Sequence, residues 1–186
     1  MYYHCSPTGG LTRLEPGKPQ NFDKPSLVYM TTSLPMALMY GIRNFEYTYG
    51  YTADGRIYYE EYFPDALRHL YGGKTAYLYI CKPLTTEKTI IPNEAVSSAA
   101  VEVTEQILIP DVLEALLEQE RLGTLQIRRY EELPPKTREW IFRAELEEIR
   151  KRKLLHTHSA MAAYMKCHYP AVWEYACKEE MNPPED

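Results

Sequence analysis

The sequence predicts an α+β fold in which an antiparallel or mixed sheet core is followed by C-terminal helices. Short strand-like runs alternate with short helices up to Tyr130, and the pattern after Pro134 and Pro135 is helical. Strands that precede a block of helices are typical of α+β domains and differ from the regular alternation of parallel βαβ units. The length of 186 residues suits one domain. We therefore expect a core over residues 1–133 and a helical extension over residues 134–186 that packs on it.

The first half of the chain is predicted to contain strands joined by short helices. Ser33 is placed to cap a helix that ends before Gly41, and Asp54-Gly55 is a strong signal for the turn of a hairpin. The predicted strands cover residues 2–5, 27–31, 45–52, 56–63 and 75–81, and the predicted helices cover residues 35–40 and 64–70.

The second half is predicted to change from sheet to helix. Asp111 and Glu114 have the spacing of a capping box at the start of a helix, and Gly123 ends that helix. Residues 83–99 are interpreted as mostly irregular. The predicted strands cover residues 101–109 and 124–130, and the predicted helices cover residues 111–122, 137–155, 159–168 and 171–180.

Composition narrows the class of protein and of partner. The net charge of -5 argues against a general affinity for nucleic acid. The sequence has no signal-peptide pattern, and no apolar run reaches the ~20 residues of a membrane helix. The 4 Cys fit no metal or redox spacing, so we expect a cytoplasmic protein with reduced thiols. The 17 Tyr, most of them between Tyr40 and Tyr79, fit either strand faces or a ligand-facing wall.

One carboxylate interrupts an aliphatic row on the strand predicted over residues 101–109. Side chains alternate between the faces of a strand, so Glu105 shares its face with valine and isoleucine residues only. Burying a carboxylate without a partner is costly, and proteins keep such a group mainly for a salt bridge or a functional site. A one-residue β-bulge would instead turn Glu105 toward water. The strand alone leaves both interpretations open.

Two N-terminal motifs resemble the first two members of the His-Tyr-Glu triad of ADP-ribosyltransferase-like domains. They are Tyr3-His4 at the end of the first strand and the run Val28-Tyr29-Met30-Thr31, which precedes a helix that contains Ala37. In these domains a later strand carries the third member, Glu or Asp, and Glu105 follows in that order. The outline is closest to the small bacterial transferases of the rifampicin-modifying type. The resemblance implies a small split sheet core that binds NAD in a cleft between two sheets.

The resemblance also implies a role for each site residue. His4 would hydrogen-bond the adenosine ribose, Tyr29 would stack on the nicotinamide ring, and Glu105 would bind the 2′-hydroxyl of the nicotinamide ribose. These are the candidate catalytic residues. The candidate NAD-binding residues are His4, Cys5, Ser6, Tyr29, Thr31 and Tyr40. The implied function is transfer of ADP-ribose from NAD to an unknown acceptor, a protein or a small molecule.

A second hypothesis is a non-catalytic module of the same fold whose tyrosine-rich cleft binds a partner. Glu105 separates the two hypotheses. A carboxylate that faces the same cavity as His4 and Tyr29 favours chemistry, whereas a solvent-facing one favours binding alone. The helices from Thr137 onward are extra to the small transferase core and are a candidate homodimer contact.

His156 and His158, with Cys167 and His168, are weaker candidates for metal ligands. Residues two apart do not share a helix face, so we interpret the two first histidines as polar residues at a helix start and predict no metal site.

Overall fold

A computed structural model describes residues 1–17, 25–42, 46 and 48–181. In chain order its strands are β1 (Tyr2–Ser6), β2 (Arg13–Leu14), β3 (Val28–Thr31), β4 (Tyr49–Tyr51), β5 (Ile57–Glu60), β6 (Ala76–Lys82), β7 (Glu87–Lys88), β8 (Glu94–Ser97), β9 (Val101–Ile109) and β10 (Leu125–Arg128). Its α-helices are α1 (Leu34–Met39), α2 (Ala66–Tyr71), α3 (Val112–Arg121), α4 (Pro135–Lys151), α5 (Ala160–His168) and α6 (Pro170–Met181). The predicted α+β class is confirmed.

Two sheets form among the described residues, and every strand pair of the larger one is antiparallel. The larger has seven strands in the order β2-β9-β6-β1-β3-β8-β7, and the smaller has the order β10-β5-β4. The N-terminal strand β1 is therefore central in the larger sheet, with β6 on one side and β3 on the other. This order places β8 directly beside β3, which is the feature that builds the site described below.

Most predicted elements are present with small shifts of their ends, and the exceptions are residues 83–99 and the two-residue strand β2, for which no strand was predicted. Residues 83–99 were predicted to be mostly irregular, but they contain the short strands β7 and β8. β8 pairs along its whole length with β3, so its conformation is set by a distant strand rather than by local propensity. Part of the strand predicted over residues 45–52 lies outside the described residues.

Local signals set the helix that follows β3. Ser33 caps α1 by accepting a hydrogen bond from the backbone N–H of Met36, as predicted. After the helix, Gly41 lies so close to β1 that a Cβ atom there would be 2.7 Å from Sγ of Cys5. Glycine is needed at this position because any side chain would displace the helix from the sheet.

The chain divides into two compact units. The first is Met1–Tyr59 with Leu67–Ile127, and the second is Glu60–Ala66 with Arg128–Asp186. The second unit also includes residues 60–66, and the predicted boundary at residue 133 stays a prediction. The expected packing of the C-terminal helices on the core stays a prediction. Among the helices that the structure describes, none combines the length and apolar character needed to cross a bilayer.

Each unit has its own core. In the first, one cluster beneath the larger sheet is formed by Leu14, Val28, Met30, Tyr79, Cys81 and Val101. In the second, α4 contacts α6, and the buried side chains include Ile141, Leu146, Ile149, Met165, Val172 and Ala176.

Candidate active site

A cavity of about 640 Å³ lies in the first unit where β1, β3 and β8 run side by side next to α1. Its size is that of a site for a small molecule or cofactor. Apolar side chains predominate in the lining, and a few polar groups converge among them. The lining residues are Tyr3, His4, Cys5, Leu27, Tyr29, Met30, Thr31, Met36, Ala37, Tyr40, Thr89, Ile90, Ile91, Glu94 and Val96.

His4 is a neutral hydrogen-bonding group in this cavity. Its Nδ1 lies 3.0 Å from the backbone carbonyl oxygen of Tyr29. A carbonyl only accepts, so the ring proton is on Nδ1, and Nε2 is left as an acceptor. Burial lowers the pKa of His4, and the bond to the Tyr29 carbonyl opposes this only in part. The neutral tautomer with a free Nε2 lone pair is therefore favoured at neutral pH.

Tyrosine rings and one threonine complete the predicted part of the site. Tyr29 is 40% exposed and Tyr40 is 37% exposed, so both lining residues also present aromatic surface to solvent. The hydroxyl of Tyr40 lies 3.1 Å from that of Tyr49. Thr31 is buried, and its hydroxyl accepts from the N–H of Ser33 and contacts the sulfur of Met36. Thr31 thus connects the end of β3 to the start of α1 beside the cavity.

The carboxylate of the cavity is Glu94, a residue that sequence reasoning missed. It is the first residue of β8 and pairs with Thr31 of β3. Its Oε1 accepts a hydrogen bond of 2.7 Å from the hydroxyl of Thr89. The sequence offers only a short signal for this strand, a turn-forming Asn93 followed by Glu94 and the apolar pair Ala95-Val96. In the structure Asn93 has a positive φ of 64° and makes that turn.

Of the two interpretations of Glu105, the β-bulge that turns it toward water is the one observed, and its assignment to the NAD site is wrong. β9 carries an extra residue where its register on β6 shifts, since Ile80 pairs with Glu105 but Cys81 pairs with Val103. This β-bulge at Thr104 breaks the alternation that placed Glu105 in the row of Val101. Glu105 is exposed, and its strand is separated from β1 by β6. The structure does not bring Glu105 to the cavity.

The two remaining candidates differ. Cys5 lines the cavity but is only 4% exposed, and burial raises the pKa of its thiol to about 12. Such a thiol is not ionised at neutral pH and is no nucleophile. Ser6 is not part of the lining, and its hydroxyl accepts from the N–H of Thr8 in the turn after β1.

His156 and His168 have side-chain partners within the second unit. Nε2 of His156 lies 2.7 Å from Oε1 of Glu180, and the ring of His168 stacks on Phe63 with centroids 4.5 Å apart. Within the described ranges, no three His, Cys, Asp or Glu side chains converge into a group able to hold a metal ion.

No protein-family model matches the chain, and no curated protein is significantly similar to it in sequence.

Proposed function

We propose that this protein binds NAD in the cavity between β1, β3 and β8 and transfers its ADP-ribosyl group to an acceptor. The observation that carries the proposal is that His4, Tyr29 and Glu94 all line one cavity. A histidine, a tyrosine and a glutamate in this chain order are the three residue types of the family that the N-terminal motifs resemble. Glu94 takes the role that the sequence assigned to Glu105.

The lining fits the nicotinamide-ribose half of NAD. The aromatic surface of Tyr29 suits a planar ring, and Val96, its partner on β8, adds apolar lining beside it. Nε2 of His4 and the carboxylate of Glu94 are acceptors for sugar hydroxyls. NAD supplies an ADP-ribosyl group whose carbon–nitrogen bond breaks to release nicotinamide.

Glu94 provides the chemical assistance in this proposal. Cleavage of a glycosidic bond develops positive charge on the sugar, and contacts to the adjacent hydroxyl strengthen as it develops. A carboxylate fixed at that place stabilises the charge electrostatically. Tyr29 would hold the ring and His4 the sugar, so the bond to be broken lies near Glu94.

Glu105 offers a matched control for the test. We expect the wild type to release nicotinamide from NAD and Glu94→Gln to do so about 100-fold more slowly or worse, the usual cost of removing one electrostatic stabiliser. Glu105→Gln makes the same chemical change on the exposed face of β9 and should leave the rate near the wild-type value. Equal rates for wild type and Glu94→Gln would contradict the proposal.

The exposed aromatic surface of Tyr29 and Tyr40 supports the second hypothesis, a binding module without catalysis. Thermal shift separates the two. A ligand that binds only the native state raises the melting temperature, and NAD at millimolar concentration reveals even weak binding. A shift that Tyr29→Ala reduces, without any nicotinamide release, would favour the binding module. No shift in melting temperature would rule out NAD as the ligand under both hypotheses.

A further inference from the structure

Thr89 connects the carboxylate of Glu94 to the backbone of the turn before β8. The hydroxyl of Thr89 donates to Oε1 of Glu94 over 2.7 Å, and the N–H of Ile91 donates to the same hydroxyl over 3.0 Å. A hydroxyl has one proton and two lone pairs. Because the amide occupies a lone pair, the proton is available to the carboxylate. The carbonyl of Ile91, at 3.5 Å, is the poorer acceptor.

The turn that contains this bridge is held on several sides. The N–H of Glu94 donates to the carbonyl of Ile91 over 3.2 Å. The hydroxyl of Tyr51 donates to the carbonyl of Pro92 over 2.6 Å and also hydrogen-bonds the side chain of Asn93. These contacts hold the residues that link Thr89 to Glu94, so the backbone supports the position of the Thr89 hydroxyl.

We propose that Thr89 is the positioning residue of the site, which holds one oxygen of Glu94 so that the other is presented to the ligand. Thr89 and Glu94 both line the cavity. With Oε1 occupied by Thr89, Oε2 is the oxygen that remains for a sugar hydroxyl. A preorganised carboxylate stabilises developing charge without the cost of reorienting during the reaction. This inference rests on the proposed function.

The test compares Thr89→Val with Thr89→Ser in the full-length chain, with nicotinamide release from NAD as the readout. Valine keeps the shape and removes the hydroxyl. We expect Thr89→Val to lower kcat about 10-fold or more while KM for NAD changes by less than about 3-fold, since the contact between Glu94 and the sugar hydroxyl strengthens as charge develops on the sugar. Thr89→Ser should restore at least half of the wild-type kcat. Thr104→Val, which removes an exposed hydroxyl bonded to the carbonyl of Ile80, is the matched control.

A second comparison separates positioning from a general effect on the turn. In the Glu94→Gln background, Thr89→Val should lower the rate no further, because residues that act as a unit are non-additive. Additive losses, or a wild-type kcat for Thr89→Val, would overturn the inference. If Thr89→Val does not fold, Thr89→Ala takes its place in the same comparisons.

Failure of this inference is distinguishable from failure of the proposed function. An active wild type, an inactive Glu94→Gln and a fully active Thr89→Val would remove Thr89 alone. A wild type that neither releases nicotinamide nor responds to NAD in thermal shift would remove both.

Discussion

At the scale of single residues, the protonation of His4 is the property that most directly links the site to pH. Burial lowers its pKa, so the folded chain keeps the ring neutral at pH values where the unfolded chain, with the ordinary value of 6.5, begins to bind a proton. Below pH 6.5 the unfolded state therefore binds more protons than the folded state. Stability that is present at higher pH is lost as the pH falls through this range.

The first prediction follows from this loss of stability at lower pH. We expect the free energy of unfolding to fall between pH 7.5 and pH 5.5 by a larger amount in the wild type than in His4→Asn, whose side-chain N–H can still donate to the carbonyl of Tyr29. The measurement is urea denaturation across this pH range. His158→Asn, at an exposed position, should keep the wild-type slope. A steeper pH dependence in His4→Asn would contradict the expected direction.

The same scale separates what sequence could predict about the site from what it could not. His4, Tyr29, Thr31 and Tyr40 were predicted from motifs and all line the cavity. The carboxylate was assigned to Glu105 on the interpretation that a period of two continues across all nine residues of β9, whereas the alternative of a β-bulge is the one observed. A bulge has no reliable local signature, so the alternation could not reveal its own interruption.

At the scale of elements, β9 could be predicted from the sequence and β8 could not. The bounds predicted for β9 are those observed, because its β-branched run has high strand propensity. β8 has only four residues, and its pairing with β3 involves residues more than sixty positions earlier. Pairing of that kind is a tertiary property, and it also decides which carboxylate reaches the cavity.

The side chain of Asp111 joins the start of helix α3 to the turn before β6. Oδ1 of Asp111 accepts from the N–H groups of Leu113 and Glu114, and Oδ2 accepts from the N–H of Gly73 over 3.1 Å. One side chain therefore caps α3 and anchors the turn before β6. We expect Asp111→Ala to cost about 1–2 kcal/mol, which corresponds to a loss of about 2–8 °C in melting temperature. Differential scanning calorimetry measures both.

Asp111→Asn is the control for that prediction. Asparagine caps helices about as well as aspartate, but its amide nitrogen cannot accept from Gly73, so one of the two functions is lost. A stability between those of wild type and Asp111→Ala is expected. A melting temperature for Asp111→Ala equal to that of the wild type would mean that the cap contributes nothing.

At the scale of the whole molecule, the order of the larger sheet explains why the site is where it is. The N-terminal strand β1 is inserted between β3 and β6. β3 in turn separates β1 from β8. The three strands that supply His4, Tyr29 and Glu94 are thus consecutive in space although Glu94 is far from His4 in the chain. The site needs β1, β3 and β8 paired in this order, so we expect the site to be lost when the first unit unfolds.

The reactivity of the four free cysteines can be used to test whether the site and the fold of the first unit are lost together. Cys5 and Cys81, on β1 and β6, are 4% and 5% exposed, and burial raises their pKa values to about 12 and about 11. Cys167 on α5 is exposed, and Cys177 on α6 is partly exposed. Only the thiolate reacts with alkylating agents, so Cys5 and Cys81 react only after local unfolding has exposed their thiols.

The last prediction uses this contrast to follow the first unit without a catalytic assay. At pH 8 we expect Cys5 and Cys81 to be alkylated at least about 100-fold more slowly than Cys167, with all four equally reactive in denaturant. Mass spectrometry of peptides measures each rate. Saturating NAD should slow the labelling of Cys5 and Cys81 and leave Cys167 unchanged, because a ligand of the native first unit lowers the population of its open form. Labelling of Cys5 as fast as that of Cys167 would show that β1 is not held in the sheet, and the candidate site would lose its scaffold.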